Sequence, residues 1–311
     1  MKTSSGAYAF SKAELQTLRE IARGNYELSS IQAKLSIKPP LLTYTLKKLQ
    51  SKGLIKLDNN GVKKQVYLSD AKHAILLRNL LTIYDHVDWE NLLKDKAIKI
   101  LFQVLTGPDK LTGVPRNTLW RYMKVFKARG IITHEGKVNS QFRGLPEFLE
   151  EYHSFFAKKI ANELSDNSVI LWQRNMQLLI RTAKSSKPSN RYFHKTATSI
   201  FPMYNLPLFS EFDVYFYSTT KQTIKPEDAI LHTLLIEPSN VRYSTYALLL
   251  LKKTEKQIDK TYLIREAEHL GLEHQVTGML DFLQTHMRPE GHSLPTWVDF
   301  VEKARDYGVM V

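Results

Sequence analysis

Apolar residues recur every third or fourth position through the first 53 residues of this 311-residue chain, which predicts helices. Ser11 is placed to cap the first helix, and Gly24 is placed to end it. The spacing predicts a second helix at about Leu28 to Leu35 and a third from about Pro40 to Lys52. Three helices joined by turns this short predict a helix-turn-helix core.

The pattern then changes to two short runs with strand character. Residues 54–57 and 65–68 read as strands, and the Asn60-Gly61 pair between them is a strong hairpin turn signal. Lys63 and Lys64 follow that turn. The sequence therefore predicts a hairpin with a basic side directly after the third helix.

A second copy of this pattern lies 77 residues further along. It has a first helix at Asp95 to Leu105 and a third helix at Pro115 to Arg129, followed by Gly130. The offset aligns apolar and basic positions alike, placing Leu42 over Leu119, Leu46 over Met123, Lys47 over Lys124 and Leu49 over Phe126. Two copies indicate a duplicated unit, since a solenoid needs more.

The second copy departs from the first at its hairpin. Residues 133–137 form a short turn with one lysine and one glutamate, and the return strand that follows is weak. An alternative therefore stays open, in which the second copy packs against a neighbour and its basic helix is only solvated. Between the copies, an amphipathic helix at Ala71 to Tyr84, with Ile75, Leu76, Leu80 and Ile83 on its apolar face, is expected to link domains or to form a dimer.

The remaining residues predict a separate domain. A helix with an aromatic stripe at Pro146 to Leu164 leads into it, residues 212–217 form its clearest strand, and Pro226 opens a helix. The mixed apolar and polar pattern of Val169 to Thr182 is compatible with either a helix or a strand. The predicted fold class is mainly α with small β-hairpins (α+β), with two winged helix-turn-helix units and an α/β or α+β C-terminal domain. The predicted domains are 1–70, a linking helix at 71–94, a second unit at 95–165 and a C-terminal domain at 166–311.

The charge distribution separates these halves. Residues 1–160 hold 27 Lys and Arg against 14 Asp and Glu, whereas residues 161–311 hold 17 against 17. Clustered cations attract phosphate backbones, so nucleic acid is the expected partner of the first half. The chain has no cysteine and no run long enough for a signal peptide or a membrane span, which predicts a cytoplasmic protein with no membrane partner.

Residues 7–70, with their third helix, the Lys52-Gly53-Leu54-Ile55 stretch and a basic hairpin, resemble winged-helix DNA-binding domains, especially MarR-like and related archaeal regulators. The resemblance implies that the third helix enters the major groove while the hairpin, or wing, contacts the backbone or minor groove. It implies DNA contacts on the outward face of that helix and on the wing, from Lys38, Thr43, Tyr44, Lys47, Lys48, Lys63 and Lys64.

The third helix of the second copy adds a denser set of candidates, namely Arg116, Asn117, Trp120, Arg121, Lys124 and Lys127. Arg and Asn have the forked geometry that pairs with guanine and adenine edges, so Arg116 and Asn117 are the best candidates for base contacts. Trp120 is ambiguous, and packing against the linking helix is the favoured expectation.

The C-terminal half carries a weaker resemblance over about residues 190–285. A strand, the helix that starts at Lys225-Pro226-Glu227-Asp228, and the later Ala267-Glu268-His269-Leu270-Gly271 stretch are similar to AbiEi-type antitoxins. The resemblance implies an antitoxin of a type IV toxin-antitoxin system, which represses its own promoter and opposes a nucleotidyltransferase toxin through this half.

Enzyme motifs are poorly represented. Ser210-Glu211-Phe212-Asp213 offers two acids but no preceding Gly, so a nucleotidyltransferase-like enzyme is the weakest alternative. The histidines lack metal-ligand spacing, and no catalytic residue, metal or cofactor is predicted. The sequence thus predicts a non-enzymatic, sequence-specific double-stranded DNA-binding protein, most simply a transcriptional regulator, and leaves a homodimer formed through the linking helix as one of two open roles for that helix.

Overall fold

A computed structural model describes residues 8–58, 64–106, 114–174, 177–188, 190–219, 221 and 223–311. The chain divides into two compact units, residues 1–156 and 157–311. The described residues are mainly helical and contain small antiparallel sheets, which confirms the predicted α+β class.

The first unit begins with three helices and a hairpin. Ser11 caps α1 as predicted: its hydroxyl accepts from the Glu14 backbone N–H at 3.3 Å, and the Glu14 carboxylate accepts from the Ser11 N–H at 2.7 Å. α3 packs against α1 and the first strand. The elements are α1 (Lys12–Ala22), α2 (Leu28–Leu35), α3 (Pro39–Ser51), β1 (Ile55–Asp58) and β2 (Gln65–Leu68).

Five further helices follow, and their aromatic residues supply much of the core. The Tyr152 ring stacks on Phe148 with a centroid distance of 5.2 Å and lies edge-on to Phe156 at 5.0 Å. All three side chains are buried. The helices are α4 (Lys72–Ile83), α5 (Trp89–Leu92), α6 (Asp95–Thr106), α7 (Arg116–Ala128) and α8 (Leu145–Asn162).

The apolar face predicted for the linking helix is partly wrong. Ile75 and Ile83 are 39% and 66% exposed, whereas Leu80 is buried as predicted, together with His73, Ala74, Leu77 and Leu81. α4 also ends before Trp89, which begins the separate helix α5.

The second unit contains a four-stranded antiparallel sheet in the order β3-β4-β6-β5. Ile180 and Tyr215 on one face pack with Ile160 near the end of α8. Leu179 and Phe216 on the other face pack with the helices that follow. The strands are β3 (Val169–Arg174), β4 (Gln177–Ala183), β5 (Phe193–Lys195) and β6 (Phe212–Tyr217).

A 3₁₀ helix at Ala197–Tyr204 and five α-helices complete the second unit. His232 on α9 is buried, stacks on Phe216 with centroids 4.1 Å apart, and has its Nδ1 2.8 Å from the Thr196 hydroxyl. In the part of the chain that the structure describes, no helix combines the length and apolar content needed to cross a membrane. The helices are α9 (Pro226–Ile236), α10 (Val241–Lys253), α11 (Lys260–Leu270), α12 (Glu273–Thr285) and α13 (Trp297–Asp306).

Candidate nucleic-acid interface

The outward face of α3 carries an exposed set of polar and basic side chains. Its inward face is buried through Leu42, Thr45, Leu46 and Leu49, so the opposite side of the helix is left to solvent. Lys38, Thr43, Tyr44 and Lys47 are exposed, and Lys48 is half-buried. The Lys48 ammonium lies 5.5 Å from the centroid of the Tyr44 ring, one helical turn away.

The hairpin after α3 adds one described candidate. Lys64 is exposed directly before β2, while Lys63 and the predicted turn lie outside the described residues. Lys56 on β1 is also exposed, a position that strand alternation between buried Ile55 and half-buried Leu57 could have found. Lys56 pairs with Asp70, and its hydrogen bond and charge lower the pKa of that carboxyl.

α7 presents the second set. Phe126 is fully buried and Leu119 and Met123 are half-buried, so this helix is held by a smaller apolar stripe than α3. All six candidates on α7 are exposed, namely Arg116, Asn117, Trp120, Arg121, Lys124 and Lys127. The expectation that Trp120 packs against the linking helix is wrong, because this side chain is 65% exposed.

Three of the basic side chains in this set have partners on or near α7. The Arg121 guanidinium lies 5.4 Å from the centroid of the Tyr122 ring. The Lys124 ammonium lies 5.3 Å from the centroid of the Trp120 ring. The Lys127 ammonium donates a 3.0 Å hydrogen bond to the His134 carbonyl in the following turn. That turn is closed by a bridge between Ile132 and Val138, so the second copy has a much smaller counterpart of the hairpin.

The two helices match over their full length and at their ends. α3 and α7 each span 13 residues, and both of their ends are offset by 77 positions. Gly53 and Gly130 follow them with φ of +66° and +64°. The residue after each glycine makes the same hydrogen bond to the end of its helix. The Leu54 N–H donates to the Leu49 carbonyl at 3.1 Å, and the Ile131 N–H donates to the Phe126 carbonyl at 2.9 Å.

Some of the positive charge in this half is already paired. Lys52 is buried against Glu14, with its ammonium 2.5 Å from the carboxylate. Arg129, its equivalent in the second copy, forms a 3.4 Å ion pair with Asp88. Lys52 is therefore closed to a polyanion, whereas the basic candidates on α3 and α7 are exposed, apart from the half-buried Lys48.

A shallow cleft of about 420 Å³ lies on α7 beside the indole of Trp120. Its described lining consists of Asn117, Thr118, Trp120 and Arg121. Sequence reasoning missed Thr118, which is half-buried and carries no charge. The cleft combines an aromatic ring, an amide, a hydroxyl and a guanidinium, with no acidic group among those four.

The second unit contains a polar cluster that the sequence did not indicate. Lys221 lies 2.5 Å from the Asp228 carboxylate, and the Tyr262 hydroxyl donates to the same oxygen at 2.9 Å. Burial, followed by the charge of Asp228, raises the pKa of Tyr262. The charges of this lysine and this carboxylate offset each other.

One of the two acids considered for an enzyme is held in a structural contact. Asp213 is buried in β6, and its carboxylate lies 2.9 Å from the Lys195 ammonium. Across the residues that were described, no group of three or more His, Asp or Glu side chains is arranged to hold a metal ion.

Comparison with known proteins finds a likeness in the second unit. Residues 190–309 match the family model described as HVO_2833_C, C-terminal, which covers less than half of the chain. No curated protein and no solved structure matches the chain. The winged-helix and antitoxin resemblances therefore stay predictions.

Proposed function

We propose that this protein is a non-enzymatic, sequence-specific double-stranded DNA-binding protein that regulates transcription. The observation that carries the proposal is the pair of matched helices, α3 and α7, each with an exposed basic and polar face. They lie in the half of the chain that holds the whole positive excess. A duplicated basic helix is well suited to contact two segments of one polyanion.

In this proposal the exposed lysines bind phosphates and a few side chains read bases. Lys47 and Lys124 occupy equivalent positions and set the register on the backbone. Arg116 and Asn117 lie at the start of α7, where they can pair with guanine and adenine edges in the major groove. Lys64 supplies a backbone contact from the hairpin.

The test is a selection from a random duplex library, followed by titrations of the selected and an unrelated duplex over a range of salt. We expect Arg116→Ala to reduce discrimination at one base pair by about 1–3 kcal/mol. Lys64→Ala should weaken both duplexes alike and reduce the salt slope by about 1. Equal affinity for all duplexes, or no effect of either change, would contradict the proposal.

A second candidate function is that of an antitoxin, and a specific feature of the second unit favours it. Met203 and Phe209, in the segment that leads into β6, are 80% and 92% exposed. A contiguous exposed apolar patch marks a protein contact, and these two side chains are candidates for such a patch. Coexpression with a nucleotidyltransferase toxin encoded by the neighbouring gene would test this function.

If the second unit binds such a toxin, Met203→Ser with Phe209→Ser should abolish copurification. Met310→Ser is the matched control, because Met310 is 93% exposed in the same unit but distant in sequence. An unchanged complex in the double variant would count against this surface.

A further inference from the structure

Trp120 is unusual among the exposed side chains of the two matched helices. An indole that is 65% exposed leaves a large apolar surface in water, which is unfavourable unless a ligand covers it. The equivalent position of α3 holds Thr43, whose hydroxyl bonds to the Pro39 carbonyl of its own helix at 3.0 Å. The exposed indole is therefore a feature of the second copy alone.

The groups around Trp120 favour a planar ligand attached to an anion. Lys124 holds its ammonium 5.3 Å from the ring centroid, and Arg121 lines the same cleft. Asn117 adds an amide that can both donate and accept a hydrogen bond. The cleft is shallow and open, so it can receive one face of a planar group without enclosing it.

An intact duplex does not offer such a ligand. In the major groove a side chain meets only base edges, because the faces of the bases are covered by their stacked neighbours. Aromatic side chains contact base faces when the base is unpaired or out of the stack. The exposed indole and its cationic neighbours therefore fit an unpaired nucleotide better than a paired one.

We propose that the cleft on α7 binds one unpaired nucleobase, with Trp120 stacked on its face, Asn117 bonded to its edge and Arg121 on an adjacent phosphate. This inference rests on the proposed function and extends it: α3, Arg116 and Lys124 contact intact duplex, while Trp120 and Asn117 on α7 hold a base displaced from the stack. Asn117 then bonds to that base instead of to a paired adenine. The preferred target is then a duplex with a bulge or a locally opened step.

The test compares the full chain on two labelled duplexes that differ by one extra unpaired adenine. We expect the bulged duplex to bind roughly 5- to 150-fold more tightly, the range measured for one aromatic stacking contact. Trp120→Ala should reduce affinity for the bulged duplex to that for the intact duplex in the same variant, while Trp120→Phe should keep part of the preference. Since Trp120 is exposed, these changes should leave the fold intact.

Tyr44→Ala is the matched control, because Tyr44 is 59% exposed on α3 and also has a lysine one turn away. It should weaken both duplexes by the same factor. A second readout is tryptophan fluorescence, which should be quenched by the bulged duplex in the natural chain and much less in Trp120→Phe.

Equal affinity for the two duplexes would overturn the inference and leave DNA binding itself standing. An equal loss on both duplexes in Trp120→Ala would also overturn it, since Trp120 would then be an ordinary duplex contact. Loss of self-association in Trp120→Ala, with unchanged DNA binding, would assign the indole to a protein contact instead. Failure to bind any duplex would reject the proposed function as well.

Discussion

The Lys52 ammonium lies 2.5 Å from the Glu14 carboxylate, and both side chains are almost completely buried. The same ammonium lies 4.5 Å from the centroid of the Phe10 ring and also donates to the Ala9 carbonyl. The pair joins the first turn of α1 to the residue that follows α3. It therefore fixes α3 on the core of the first unit.

Removing one member of this pair should strongly destabilise the first unit. Lys52→Met leaves the Glu14 charge buried without its partner, at an expected cost of about 3–5 kcal/mol. Chemical denaturation of the full chain measures this loss in the free energy of unfolding. The control is Lys47→Met on the exposed face of α3, whose free energy of unfolding should stay within about 0.5 kcal/mol of that of the natural chain. Changing both partners, in Glu14→Leu with Lys52→Met, should recover most of the loss.

The glycines that follow α3 and α7 allow a paired comparison. Both have φ near +65°, so alanine at either position should cost about 1–2 kcal/mol. A Cβ at Gly53 would also lie 2.8 Å from the Phe155 ring, whereas at Gly130 the nearest atoms are 4.0 Å away. Gly53→Ala should therefore destabilise more than Gly130→Ala by at least about 1 kcal/mol. Equal losses in denaturant would contradict this reasoning.

Acid should destabilise the second unit through His232. Burial lowers the pKa of His232 to about 3, so the folded state keeps this ring neutral while the unfolded state takes up a proton near pH 6.5. The contribution of neutral His232 to stability is complete above about pH 6.5 and is lost as the pH falls toward 3. At pH 5.5 the expected loss is about 1.4 kcal/mol.

Denaturation at pH 7.5 and pH 5.5 would measure the contribution of His232. The loss in the free energy of unfolding between pH 7.5 and pH 5.5 should be smaller in His232→Asn by about 1.4 kcal/mol. His134→Asn is the control, since His134 is exposed, and it should leave the difference unchanged. An unaltered pH dependence in His232→Asn would show that another group is responsible.

The two matched lysines should contribute alike to DNA binding. Lys47→Ala and Lys124→Ala each remove one exposed cation, so each should reduce the slope of log K against log salt by about 0.9. Lys256→Ala, an exposed lysine in the neutral half, should have no effect. A change in slope for only one of the matched lysines would show that only one helix contacts the backbone.

Much of the first unit could be predicted because its elements are short and separated by clear signals. α2 and β2 have the predicted bounds, and the 77-residue offset found in the sequence reappears at both ends of α3 and α7. These segments are amphipathic, so the spacing of their apolar residues reports which side faces the core.

The hairpin β3–β4 could not be predicted for a physical reason. Leu178 and Ile180 pack on one face of the sheet and Leu179 packs on the other, so β4 is buried on both sides. Such a strand reads as a continuous apolar run, which periodicity cannot distinguish from a buried helix.

The candidate interface shows a similar limit. Helical spacing predicted which positions of α3 and α7 are exposed. It did not predict which basic side chains are already paired with an acid. In the sequence, Lys52 looks like any other surface lysine. Its burial in an ion pair depends on Glu14, which lies 38 residues earlier in the chain. The exposure of Trp120 likewise depends on which elements pack nearby, which a single helix pattern does not reveal.

The turns that follow the two matched helices differ in size, so the two copies in the first unit are not equivalent. After α3 come two four-residue strands, whereas after α7 a bridge from Ile132 to Val138 closes a compact turn that Lys127 fastens to the helix. A twofold-symmetric pair of copies would fit an elongated ligand equally well in either orientation. These copies are distinguishable, so under the proposed function a duplex that contacts both would bind in one orientation only, and a single chain would distinguish the two directions of a promoter.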